Sequence, residues 1–167
     1  MRVFEETQRF NQWWLWLLHL GALGFLSYSF YQWFLLGEAT GNVKVTDTTA
    51  QIIVILVILM GTGLIHIFKL DTTIDEKGIR FRFFPIQQKF KIISWNELEK
   101  SFVRKYNPLK EYGGWGYRIG LSGRAYNIKG NQGIQIEYKN GKKLLIGTQK
   151  PQEAQKTIDK YMNHEGV

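Results

Sequence analysis

The chain's reactive side chains are few, and the chemistry it retains is cationic and aromatic. Cysteine is absent from its 167 residues, which removes disulfides, thiolate metal sites and thiol nucleophiles together. His19, His66 and His164 stand far apart, no pair has ligand spacing on one element, and no metal site is expected. The paired-carboxylate and Ser-His-Asp templates also fail, because no base stands beside an orienting partner and His164 falls in a terminal tail. The sequence therefore reads as a non-enzyme without a cofactor.

Two concentrations of basic residues remain. Arg80 and Arg82 alternate with Ile79, Phe81 and Phe83, so both fall on one face of a strand. If that strand pairs back around residues 85–88, Lys91 comes near Arg82 on the same face. Like charges set opposite each other are mildly destabilising, which invites an anion to offset them; a solvated basic face is the plainer reading. The second concentration is the loop 107–118 (NPLKEYGGWGYR), with Lys110, Tyr112, Trp115 and Arg118, joined by Arg124. Aromatics, glycines and bases together can present rings to a ligand or a bilayer. The plainer reading has Trp115 packing over the end of a small core. The glycines at 113, 114 and 116 do not make a phosphate loop, since no Lys-Ser/Thr pair follows and no helix opens there. These eight residues are the expected headgroup or ligand contacts.

The elements that must position them divide by charge. Residues 69–167 carry 19 Lys and Arg against 10 Asp and Glu, a net +9; residues 1–68 carry 3 against 4, a net −1. Before the basic part come two uncharged stretches. From Gln12 to Leu36 no charged side chain occurs; Trp13, Trp14 and Trp16 crowd one end, and Tyr31, Trp33 and Phe34 the other. Rings at both ends with Leu, Ala and Gly between them suit a spanning helix. A signal peptide is excluded by the stretch's length, its lead and the second span. Residues 51–68 form the second uncharged run, just long enough to cross a hydrocarbon core of about 30 Å. The spans are expected over about 12–36 and 50–68, with Asp47 or Thr48 capping the second. Gly21 and Gly24 against Gly61 and Gly63 would permit close approach. His19 and His66 fall on the same side of such a hairpin. They are expected as polar packing, with a shared hydrogen bond or proton-sensitive pair as the alternative. Residues 1–11 read as a polar lead or interfacial helix.

Beyond residue 70 the period becomes alternating. Short strands are expected at 72–75, 79–83, 89–95, 98–106, 117–121, 125–129, 133–138 and 143–147, then an amphipathic helix at 151–162. Asn140-Gly141 asks for a type I′ hairpin turn. A domain boundary is expected at 69/70. The fold expected is α+β: two transmembrane helices, then an antiparallel β-barrel or sandwich of about seven strands with a C-terminal capping helix.

That order resembles the pleckstrin-homology superfold, and is similar to bacterial PH-like domains that follow two transmembrane helices. The residues behind this are IDEKGI at 74–79, IISWNEL at 92–98 and IGTQKPQE at 146–153. The resemblance covers about residues 70–162 and the preceding hairpin, and supplies no catalytic residues. Lys77, Arg80 and Arg82 loosely match the spacing by which eukaryotic PH domains bind phosphoinositides, which bacterial members are not expected to read. The expected function is a non-enzymatic, membrane-anchored module that binds a protein partner or anionic lipid headgroups at the cytosolic face. The alternative is an accessory subunit of a membrane complex acting through its hairpin. The excess of Lys and Arg after residue 68 places both termini in the cytosol, in a bacterial inner membrane. Expected partners are the anionic leaflet and a protein or a second copy, not nucleic acid.

Overall fold

A computed structural model describes residues 3–120 and 122–162, so His164 lies outside the described residues. The chain is α+β, with nine strands in two sheets and four α-helices among the described residues. It divides into two compact units: Asn11–Ile67, and the residues up to Phe10 together with those from Phe68 onward.

In the first unit, α1 (Trp13–Phe30) runs into a π-helical turn (Tyr31–Leu36), and α2 spans Thr48–Ile67. Asp47 caps α2, its Oδ1 accepting from the amide of Ala50 at 2.9 Å. Burial on α2 is inverted relative to a soluble helix. Gln51 is buried and bonds the carbonyl of Val45 at 3.0 Å, whereas Ile53, Leu56, Val57, Leu59 and Met60 are exposed. Among the described residues only α2 is long and apolar enough to cross a membrane. The expected first helix forms, but its tryptophans, His19 and serines make it less apolar. The glycine contact does not form among the described residues: nothing outside each helix's own nearby backbone lies within 4 Å of a Cβ built on Gly21, Gly24, Gly61 or Gly63.

The second unit holds the sheets. One has the order β1 (Phe4–Arg9), β2 (Lys69–Asp75), β3 (Gly78–Phe84), β4 (Lys91–Ile93), all antiparallel. The expected polar lead or interfacial helix is thus a strand. Phe4 and Glu6 alternate inward with exposed Glu5 and Thr7, the period-2 pattern that a half-buried strand needs. The boundary expected at 69/70 moves accordingly, since strand pairing claims residues on both sides of the hairpin, with Arg9 opposite Lys69. The other sheet has the order β5 (Leu98–Lys105), β8 (Gln132–Tyr138), β9 (Lys143–Gly147), β7 (Gly123–Asn127), β6 (Gly116–Gly120), with β7 and β9 parallel. Among the described residues nine strands form where about seven were expected, and of the barrel or sandwich expected they do not close into a barrel.

The core lies between the sheets. Ile79, Phe81 and Phe83 of β3 meet Tyr126, Ile134, Ile136 and Ile146, and α4 (Pro151–Met162) adds Ala154 and Ile158. Each fully buried large apolar side chain contributes about 1.5–3 kcal/mol, so alternation alone sets which face of β3 turns inward. At the first turn Gly78 has φ 135°, and a Cβ there would sit 2.1 Å from the carbonyl oxygen of Ile93. The indole of Trp95 donates to the Asp75 carbonyl at 2.9 Å, tying that turn to the Ser94–Glu97 capping box. The Asn140-Gly141 hairpin forms, but not as type I′: only Gly141 has positive φ. The amide of Gly141 donates to Tyr138 O and that of Tyr138 to Lys142 O, a three-residue loop with glycine in the left-handed position.

Candidate anion-binding basin

The last strand of the first sheet, β4, does not pair with the second sheet, and a cavity of about 700 Å³ opens beside it. Its lining comes from four stretches: Lys91–Ile93 with Glu97, Ile119 on β6, the turn from Ser122 into Arg124, and the hairpin Asn140–Leu144. Tyr126 and Tyr138 complete it. Local geometry brings these together. Gly123 (φ 103°) approaches β9 so closely that a Cβ would lie 2.4 Å from Lys143 O. That contact sets Arg124 opposite Leu144 in the parallel register.

The basin is electropositive. Lys91, Arg124, Lys142 and Lys143 line it, against the single carboxylate of Glu97. Lys143 pairs with Glu137 at 2.9 Å, and Glu97 Oε1 accepts the Ser94 amide at 3.2 Å. Among the described residues Lys91, Arg124 and Lys142 make no ion pair. Burial, reinforced by the Glu97 charge, pushes the Tyr138 phenol up to about 12, so it remains a hydrogen-bond donor at neutral pH. Its buried hydroxyl has no partner among the described residues. Such an orphaned donor costs about 1–3 kcal/mol until something accepts from it. Tyr126 is stacked on Tyr117 at 4.9 Å, and burial raises its phenol as well. Cations at the rim of a cavity suit recognition of a phosphate or carboxylate.

Of the eight residues expected from sequence, the structure brings Lys91 and Arg124 together. Arg80 and Arg82 lie elsewhere, already neutralised from β2. Arg80 pairs with Asp75, and Arg82 holds Asp71 through Nη2 at 2.7 Å and Nε at 3.2 Å, with its guanidinium 4.7 Å from the Phe90 ring. Burial would raise Asp71, but hydrogen bonds from Arg82, Thr7 and Lys69 outweigh it and hold the carboxyl below its usual range. The expected placing of Lys91 beside Arg82 is also corrected. Lys91 is opposite Phe81 in the register, one position away, and side chains alternate faces.

The loop 107–118 turns Tyr112 inward and leaves Trp115 half-exposed. It contains α3 (Pro108–Tyr112), capped by Asn107, whose side chain accepts from the amides of Leu109 and Lys110. Tyr112 is buried in a second cluster with Tyr106, Ala125 and Leu145. The indole of Trp115 donates to Gly130 O at 3.0 Å. Lys110 on α3 and Arg118 on β6 are exposed, away from the basin lining. Lys142, Lys143 and Tyr138 were not anticipated; the signal present was the pair of lysines directly after Asn140-Gly141, legible as turn chemistry alone. No protein-family model matches the chain, and no curated protein is significantly similar to it.

Proposed function

We propose that this protein is a non-catalytic, membrane-anchored module whose basin binds the phosphate of an anionic lipid headgroup. The observation that carries this is the cavity rimmed by Lys91, Arg124 and Lys142, with no acid among the described residues pairing any of them. Each basic residue near an anionic surface contributes about 1 kcal/mol. Two packed sheets with a C-terminal helix against them support a PH-like reading of the β unit. The anchor is the pair of helices, α1 and α2, and the exposed apolar surface of α2 is what lipid would cover. With the basic residues concentrated after residue 68, the β unit faces the cytosol of a bacterial inner membrane.

The test places the full chain in zwitterionic nanodiscs and titrates in a short-chain anionic phospholipid, then its choline counterpart. Saturable binding of the anionic lipid, weakened by salt and reduced roughly 100-fold in the Lys91→Gln/Arg124→Gln/Lys142→Gln variant, is expected from about 1 kcal/mol per charge. Equal binding of the choline lipid, or an unaffected triple variant, sinks the proposal.

A second reading, an accessory subunit that acts through its hairpin, draws on Gly61 and Gly63. Among the described residues nothing beyond the helix's own nearby backbone and the chain neighbours lies within 4 Å of a Cβ at either, so bulk there is free to meet an external neighbour. Under this reading Gly61→Leu/Gly63→Leu abolishes co-purification of a membrane partner and leaves lipid binding intact. A partner retained by that variant removes it.

A further inference from the structure

The hairpin holds an arrangement that neither the basin nor the apolar surface of the helices accounts for. His19 on α1 and His66 on α2 set their Nε2 atoms 3.1 Å apart, with ring centroids 5.0 Å apart. The other nitrogen of His19, Nδ1, lies 2.6 Å from the carbonyl oxygen of Leu15, one helical turn earlier. A carbonyl only accepts, so Nδ1 carries the hydrogen, and Nε2 of neutral His19 turns its lone pair toward His66. Metal-binding histidines are ordinarily held in this way. One ring nitrogen donates to a backbone carbonyl, fixing tautomer and orientation, and the other is left for the ion.

We propose that His19 and His66 form a two-histidine site for a divalent first-row transition-metal ion of the nickel, copper and zinc class, bound through both Nε2 atoms. Imidazole nitrogen suits these ions. With bonds of about 2.05 Å, nitrogens 3.1 Å apart subtend roughly 98° at a common ion, between the octahedral and tetrahedral angles. The ion lies about 1.3 Å off the line joining the two nitrogens, so each ring turns to aim its lone pair at it. Neutral His66 moves its one N–H from Nε2 to Nδ1, so binding releases no proton from the pair. Among the described residues no group of three His, Cys, Asp or Glu side chains is gathered for a metal. Water or a small ligand completes the shell, making the site open and exchangeable rather than a closed structural one. The two ligands come from different helices, so the bound ion fastens α1 to α2.

The test uses the full chain in zwitterionic nanodiscs with Cu²⁺ as the probe, read by electron paramagnetic resonance and by thermal unfolding. One saturable Cu²⁺ per chain is expected, with superhyperfine splitting from two imidazole nitrogens and a raised unfolding midpoint. His19→Gln and His66→Gln each lose the two-nitrogen signal and the midpoint shift, while helix content by circular dichroism stays unchanged. His164 is kept in every variant, so copper held at the C-terminal tail alone gives the same spectrum in all three proteins and overturns the site. A wild-type spectrum showing one nitrogen or none also overturns it, however the variants fold.

Discussion

Replacing Glu6 by alanine tests how far the N-terminal strand belongs to the β unit. Glu6 is 8% exposed; its Oε2 accepts from the Thr148 hydroxyl at 2.6 Å and its Oε1 from the Gln149 amide at 2.7 Å. Thr148 is fully buried between β9 and α4, so one carboxylate joins the first strand of the chain to the last strand–helix junction. Hydrogen bonds to a charged acceptor are worth about 1.5–3 kcal/mol each. Part of that returns when the freed amide reaches water, which leaves a loss of about 2–4 kcal/mol for Glu6→Ala. For a unit of about 100 residues, 1 kcal/mol moves the unfolding midpoint by about 4–8 °C, so the variant melts roughly 8–30 °C below wild type. Glu6→Gln keeps one accepting oxygen and falls between the two. Near-ultraviolet circular dichroism of the full chain in detergent, which reports buried aromatics such as Trp95, is the assay. A midpoint for Glu6→Ala within about 3 °C of wild type would refute the reasoning, and with it the view that β1 is integral to the sheet.

Three further outcomes follow from the same structure. Tyr138→Phe removes a buried hydroxyl that lacks a partner among the described residues, so it stabilises the protein by about 1 kcal/mol or more in denaturant melts. Because the Asp71 carboxyl is held below its usual range when folded, its ion pairs stabilise above about pH 4, and that stability is lost as pH falls through the folded value. Asp71→Asn is therefore about 1 kcal/mol less stable at neutral pH and flatter between pH 5 and pH 2, as read from urea midpoints across about that range. Gly78→Ala, which places a Cβ 2.1 Å from Ile93 O at φ 135°, loses about 2 kcal/mol or more, while Gly141→Ala, in open space, loses less. Equal losses at the two glycines would mean that backbone strain, not the close approach, sets the cost at Gly78.

The elements that were legible beforehand are those whose reason is local. The helix Pro151–Met162, the strand Lys143–Gly147, the inward set Ile79, Phe81 and Phe83, and the Asp47 cap all follow from short-range period or from one residue's side chain. The N-terminal lead was misread because six residues of mixed polarity state no preference until a partner strand is present; β2 supplies it 60 positions later in the pairing of Arg9 with Lys69. The type of turn at Asn140-Gly141 was misread for a related reason. Asparagine tolerates positive φ without requiring it, and the bulged loop lets Tyr138 and Lys142 pair.

The candidate site divides along the same line. The sequence by itself determined where apolar and basic residues concentrate, that no cysteine chemistry is available, and that Arg80 and Arg82 share a face, because each depends on composition or on a spacing of two. Only the tertiary structure decided which cations stay unpaired. Strand register sets Asp71 opposite Arg82, neutralising the most conspicuous basic pair, and collects Lys91, Arg124 and Lys142 from three separate stretches around one cavity. Charge pairing is a matter of distances between segments remote in sequence, and those distances exist only once the sheets have packed.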